Sequence, residues 1–243
     1  MSLIGVIASA ARRRGGFIPT DVAGCAVWLD FADSSTLFDA TTGGSTPAAD
    51  GNIRRIEDKS GNSRHFTEHA PGNAPIRKLA QINGLDVGYF TSDYMKRAES
   101  LATSGGAALF MVVQRTALTG GIHGIKGNSN GNLHPGGDNN YKESFGVTAR
   151  QIWPQAQRTD AHLYSINWSG AGDWLARING ATVKTSTGLT GANTQNPLWI
   201  GGAGNGTTFP VNGYYCELAV YTSVVSTGER DELEAALMAK WGI

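Results

Sequence analysis

Asn212-Gly-Tyr-Tyr-Cys-Glu-Leu-Ala-Val-Tyr221, followed by Ser226-Thr-Gly-Glu-Arg-Asp-Glu-Leu-Glu-Ala-Ala-Leu-Met-Ala-Lys-Trp-Gly-Ile243, decides the fold. The first segment is a β-strand by its aromatic and β-branched content. The second is a short amphipathic helix: Ser226 with Glu229 three residues on forms a capping box, and Leu233, Leu237 and Trp241 recur at helical spacing as one apolar stripe. One helix thus ends the chain, and nearly everything before it reads as strands and glycine-rich loops.

Upstream, Cys25-Ala-Val-Trp-Leu-Asp-Phe31 alternates as a first strand, with Cys25, Val27 and Leu29 on one face and Ala26, Trp28 and Asp30 on the other. Ala107–Gln114 is almost continuously apolar, the pattern of a central strand buried on both faces. Asn179-Gly180 permits positive φ at both central positions of a hairpin and pairs Trp174–Ile178 with Ala181–Thr185. Asp39–Asn52 reads as a long polar loop, and Gly120–Tyr141, rich in Gly and Asn, as a loop or pair of loops. No 20–50-residue repeat and no β-α alternation occurs. The architecture expected is all-β: a two-sheet antiparallel jelly-roll sandwich with one short C-terminal helix, spanning residues 20–243 behind an N-terminal arm, residues 1–19.

Bulk properties narrow the partners. The 243 residues carry 20 basic and 20 acidic side chains, so no basic excess exists to displace counterions from nucleic acid. Glycine, at 33 residues, lies in clusters between apolar runs rather than in a collagen repeat. No apolar run approaches the ~18 residues that a membrane helix needs. In the arm, apolar Leu3, Ile4, Val6 and Ile7 precede Arg12, Arg13 and Arg14. That order is the reverse of a secretory leader, and it implies a protein made inside the cell whose arm is ordered by a partner.

Val27-Trp-Leu-Asp-Phe-Ala-Asp-Ser-Ser-Thr-Leu37, Glu57-Asp-Lys-Ser-Gly-Asn-Ser-Arg-His65, Asn83-Gly84 before Tyr89-Phe90, Leu198-Trp-Ile-Gly-Gly202, and Asn212–Tyr221 with Lys240-Trp-Gly242 together resemble the concanavalin A-like (LamG-type) jelly rolls. Such domains are abundant in bacteriophage virion proteins and bacterial surface proteins. Ile56 stands where that group often carries Trp. The resemblance implies a non-enzymatic structural or adhesion component of a phage or prophage particle, of decoration or tail-fibre type. The arm would dock on other virion proteins, in a virion assembled in the host cytoplasm. The alternative is a lectin-like, carbohydrate-binding module of a bacterial surface or secreted protein. Virion modules are often trimers, and no heptad stalk enforces that state here.

Candidate chemistry is sparse. Glycoside hydrolysis needs two carboxylates flanking one bond, whereas Glu217 stands alone in its strand and Glu57 and Asp58, being adjacent, would face opposite sides. The histidines, among them His65, His69, His123 and His134, read as solvated loop residues rather than as zinc ligands. No cofactor is expected. Calcium, which related lectin-like domains bind through loop oxygens, could draw only on Asp138, Asn139 and Asn140, whose default role is that of polar turn residues. Trp168, Trp174 and Trp241 read as core, Trp28 as lying under the helix or between layers, and Trp153 and Trp199 as the exposed aromatics of a glycan site. In this type of jelly roll the first and last strands are antiparallel neighbours, which would bring Cys25 and Cys216 close inside the sandwich, reduced or bonded.

Overall fold

The structure, a computed structural model, describes residues 16–117, 121–125, 140–156, 158–203 and 208–243. In chain order the strands are β1 (Cys25–Asp30), β2 (Leu37–Phe38), β3 (Arg55–Ile56), β4 (Phe66–Glu68), β5 (Ile76–Ile82), β6 (Leu85–Thr91), β7 (Met95–Arg97), β8 (Ala107–Arg115) and β9 (Asn140–Glu143). They continue as β10 (Gln151–Pro154), β11 (His162–Trp168), β12 (Trp174–Ile178), β13 (Ala181–Ser186), β14 (Leu198–Ile200), β15 (Gly202–Ala203), β16 (Thr208–Pro210) and β17 (Asn212–Tyr221), before α1 (Thr227–Trp241).

Two antiparallel sheets form the sandwich. The larger runs β13-β12-β11-β8-β17-β6-β5, with β1 also on β17, and the smaller runs β14-β7-β4-β3-β2. β8 lies between β11 and β17, buried almost throughout, as its unbroken apolar run requires. β17 serves two neighbours along one edge: Asn212–Tyr215 pairs with β6, and Glu217–Tyr221 pairs with β1. The register against β8 slips between Tyr215 and Glu217, at this changeover, and the bulged Cys216 carbonyl accepts the Phe31 N–H at 3.0 Å.

Strand parity divides the large sheet. Val27, Leu29, Leu109, Met111, Tyr164, Ile166, Trp168 and Leu218 face the small sheet, and with Ile56, Phe66 and Met95 they make the inner core. Ala108, Phe110, Val112, Leu163, Ala219 and Tyr221 face the other way, under Leu233, Leu237 and Trp241 of α1. Trp168 and Trp174 are buried as strand parity predicts, and Trp241 as its place on the helix stripe predicts. The helix starts at the Ser226–Glu229 box and ends at Gly242 in a left-handed cap. The Asn179-Gly180 turn joins β12 to β13 with φ values of 48° and 76°, which suit the primed turns that match strand twist.

The Asp58–Asn62 turn closes the free edge of β1. Asp58 accepts from the backbone N–H groups of Trp28, Ser60 and Arg64, while Ser60, Asn62 and Arg64 donate to the carbonyls of Cys25 and Ala26. An otherwise open strand edge is thus satisfied by side chains.

The expected meeting of Cys25 and Cys216 does not occur. β1 and β17 are antiparallel neighbours, but Cys25 sits opposite Tyr221, at the far end of β17 from Cys216. Five residues of strand at about 3.4 Å each separate the thiols by about 17 Å. Both are free, and Cys216 belongs to the helix-side layer rather than the inner core. Burial, and next the Asp58 charge, push the Cys25 thiol up to about 12; burial raises that of Cys216 as well. Leu3, Ile4, Val6, Ile7 and Arg12–Arg14 lie outside the described residues. Of the neighbouring residues, Phe17 packs on the helix-side layer and the Pro19 carbonyl accepts from the Tyr221 hydroxyl at 2.7 Å.

Candidate functional site

Among the described residues, two half-buried tyrosines form an aromatic pair on the surface. Tyr89 and Tyr214 are direct cross-strand partners on β6 and β17, on the outer face of the large sheet beyond the end of α1. Alternation explains both: Phe90 and Tyr215 turn inward to the core, so their neighbours Tyr89 and Tyr214 turn outward and stay half-buried. Their rings lie 5.0 Å apart with a 40° tilt.

Edge strand β5 supplies the wall beside them. Its register against β6 breaks between Lys78 and Ile82, with Ala80 at a φ of 51°, and the bulge pushes Leu79 and Gln81 outward. The polar loop at 47–51 is pinned to the same edge: Asp50 N–H donates to the Arg77 carbonyl, Arg77 N–H to the Gly51 carbonyl, and the Arg77 guanidinium to the Pro47 carbonyl at 2.7 Å. Arg77 is itself held by Asp86 at 2.6 and 3.0 Å. Ala49, Asp50, Lys78, Leu79, Gln81, Tyr89 and Tyr214 thereby enclose a groove of about 420 Å³. That lies within the ~300–1,000 Å³ range of small-molecule sites.

The rim is polar and both signs are present. Lys78 Nζ lies 2.5 Å from Asp50 Oδ1 and 5.9 Å from the Tyr89 ring centre. The hydrogen bond that Lys78 Nζ donates to the Asp50 carboxylate raises the ammonium's pKa above its ordinary value. Two tilted aromatic faces, a carboxylate, an ammonium and the Gln81 amide are the groups that stack on a sugar ring and bond its hydroxyls.

The tryptophans expected to do this are elsewhere. Trp153 is 3% exposed, inside the core between Tyr141 and Trp174, because β10 alternates and places Ile152 and Pro154 outward instead. Trp199 is 5% exposed, enclosed by His69, Lys96 and the close backbone of Gly124. Sequence reasoning missed Tyr89 and Tyr214, although Tyr214-Tyr215 and Tyr89-Phe90 each announce one inward and one outward ring.

A carboxylate pair does form, also unforeseen. Glu217 is the cross-strand partner of Asp30, and both are buried. Lys240 Nζ bridges them, 2.9 Å from Asp30 Oδ1 and 2.7 Å from Glu217 Oε2. Trp28 and Trp241 indoles donate to Glu217 at 2.7 and 2.9 Å, and Lys59 holds Asp30 at 3.0 Å. Trp28 therefore lies on the helix side. Burial, and then the Asp30 charge, raise the Glu217 carboxyl above its usual range. With a lysine seated between the acids, the arrangement clamps the end of α1 to the β1–β17 pair.

The histidines also depart from expectation: His123 and His162 are fully buried. His123 Nε2 faces Glu143 Oε2 at 3.0 Å, and its Nδ1 accepts from Ile125 N–H at 3.2 Å. Of the calcium candidates, Asn140 begins β9, and Asp138 and Asn139 lie outside the described residues. No group of three or more His, Cys, Asp or Glu side chains among the described residues is arranged to hold a metal. No helix among them is long and apolar enough to cross a membrane.

No protein-family model matches the chain, and no curated protein matches it in sequence. Solved structures do match in fold. Domain 4 of AbnA, a GH43 extracellular arabinanase from Geobacillus stearothermophilus, in complex with arabinotriose, superposes with a TM-score of 0.56 at 13% identity, over 88% of this chain and 99% of that one. The ligand binding domain of botulinum neurotoxin serotype D, in complex with N-acetylneuraminic acid, gives 0.59 at 11% identity over 92% of this chain. The match spans about half, 55%, of that neurotoxin domain. The likeness establishes the β-sandwich, and the site must be argued from its own residues.

Proposed function

We propose that this chain is a lectin-like module that binds carbohydrate through the Tyr89–Tyr214 groove. The observation that carries the reading is a half-exposed aromatic pair set in a sugar-sized groove with Asp50, Lys78 and Gln81 at its rim. Two of the similar folds were solved with saccharides bound, which supports the same class of ligand. The role assigned is recognition, with no chemical step. The test is a glycan array probed with the wild type, Tyr89→Ala and Tyr214→Ala. Losing one stacking ring removes about 1.5 kcal/mol, or roughly a tenfold loss of affinity. A blank array, or binding indifferent to both substitutions, would overturn the reading.

The sequence resemblance supplies the setting we assign to this module: a phage or prophage particle that displays the sandwich towards a host-surface glycan. There Leu3, Ile4, Val6 and Ile7 bury against another virion protein and Arg12, Arg13 and Arg14 meet its acidic surface. Removing residues 1–16 should leave the sandwich folded, since the Phe17 and Pro19 contacts remain, and should abolish incorporation into particles. A truncated chain that still assembles would remove the docking role.

A further inference from the structure

Arg115 ends β8 on the inner face of the large sheet, the face opposite the tyrosine groove. Its side chain is 0% exposed, and among the described residues none of Nε, Nη1 and Nη2 has a well-formed hydrogen bond; the Tyr141 hydroxyl is the polar group that lies against the guanidinium. Burial lowers the pKa of this guanidinium, yet a guanidinium keeps its proton at neutral pH and so does not escape burial by losing its charge. A lone buried charge is among the costliest groups a fold can carry.

Nearby carboxylates are already committed. Glu143 Oε1 accepts from the Ser144 and Phe145 N–H groups at 2.8 and 2.9 Å, and Oε2 faces His123. Asp160 is bound by Arg158. Other polar atoms turned inward include the hydroxyls of Tyr141, which faces Arg115, and of Tyr164, together with His162 Nε2. All three are buried without a well-formed hydrogen bond among the described residues. His162 Nδ1 lies 2.9 Å from the Asp160 carbonyl, so Nδ1 carries the hydrogen. Burial lowers the His162 pKa, which keeps the ring neutral and leaves Nε2 as an acceptor. The cluster therefore holds one cation, two phenols and one acceptor, and the carboxylates within reach of it, Glu143 and Asp160, are each engaged by other donors.

We propose that this inner-face cluster is a binding site for a small oxyanion that also carries a hydroxyl, seated on Arg115 with the Tyr141 hydroxyl donating to it and its own hydroxyl donating to His162 Nε2. Hydrogen phosphate and a hydroxycarboxylate, such as the acid end of a uronic acid, share that chemistry. The site is separate from the groove by a sheet's thickness and stands whether or not the groove binds sugar.

The test is thermal unfolding of the full chain at pH 7 and constant ionic strength, with phosphate, glucuronate or chloride. Phosphate or glucuronate should raise the wild-type midpoint by several degrees over chloride, and the responding anion identifies the source. Arg115→Met should abolish that response, and Tyr141→Phe should weaken it severalfold. In the same titration, the ¹⁵N signal of Arg115 Nε should shift saturably in the wild type, a readout that needs no core variant to fold. A wild type indifferent to both oxyanions, an unmoved Arg115 signal, or a response kept by Arg115→Met would overturn the proposal.

Discussion

Lys240→Met should cost about 2–3 kcal/mol at neutral pH. Lys240 Nζ lies between two buried carboxylates, Asp30 and Glu217, at 2.9 and 2.7 Å. Removing one partner of a buried ion pair typically costs about 3–5 kcal/mol. Two features lower that figure here. Lys240 remains 32% exposed, so water already screens it, and each acid keeps other donors: Lys59 on Asp30, the Trp28 and Trp241 indoles on Glu217. The effect must also depend on pH. Glu217 already titrates above 4.5 in the folded protein, so its ionisation subtracts stability as pH rises through the interval between 4.5 and its folded value. Without Lys240 that folded value rises further, and the subtraction grows. Below pH 4.5 the carboxyl is protonated folded or unfolded, and most of the lysine's contribution through Glu217 disappears. Urea unfolding of both proteins at pH 7 and pH 4 measures this directly, with midpoint shifts converted at a common m-value. A deficit under about 1 kcal/mol at pH 7, or an equal deficit at both pH values, would refute the clamp.

Asp58→Ala should destabilise by about 2–3 kcal/mol in urea, because the Trp28, Ser60 and Arg64 N–H groups lose a charged acceptor and water replaces it only in part; a change below about 1 kcal/mol would show that the turn merely decorates the β1 edge. Thiol titration in denaturant should count two thiols with or without reductant, since Cys25 on β1 lies opposite Tyr221, five residues along β17 from Cys216. In the native protein Cys216 should stay silent at pH 8, buried and with its thiol pushed up; an oxidised pair or a fast native reaction at Cys216 contradicts the register.

Local chemistry wrote much of the fold into the sequence. The capping box, the Asn179-Gly180 turn and the apolar run of β8 each act within a few residues, and the structure has all three where the pattern puts them. What was hidden depends on register between distant segments. Asp30 and Glu217 meet only because β1 lies against the second half of β17, and the same register parts Cys25 from Cys216. Trp199 is a similar case: Leu198 and Ile200 face the core, so parity turns Trp199 outward, and only the arrival of His69 and Gly124 covers it. His123 is enclosed through Glu143 of β9, a contact no spacing announces. Tyr89 and Tyr214 were legible as outward rings once parity was applied, but their pairing and the bulged wall beside them require the β5–β6–β17 register.

In the proposed function, sugar stacks on the Tyr89 and Tyr214 rings. The most direct test is NMR of protein labelled at tyrosine rings, titrated with a saccharide selected on the array. Of the seven tyrosines, Tyr89 and Tyr214 should shift together and saturate while the buried Tyr141, Tyr164, Tyr215 and Tyr221 stay fixed. Saturable binding that leaves Tyr89 and Tyr214 unmoved would contradict the account.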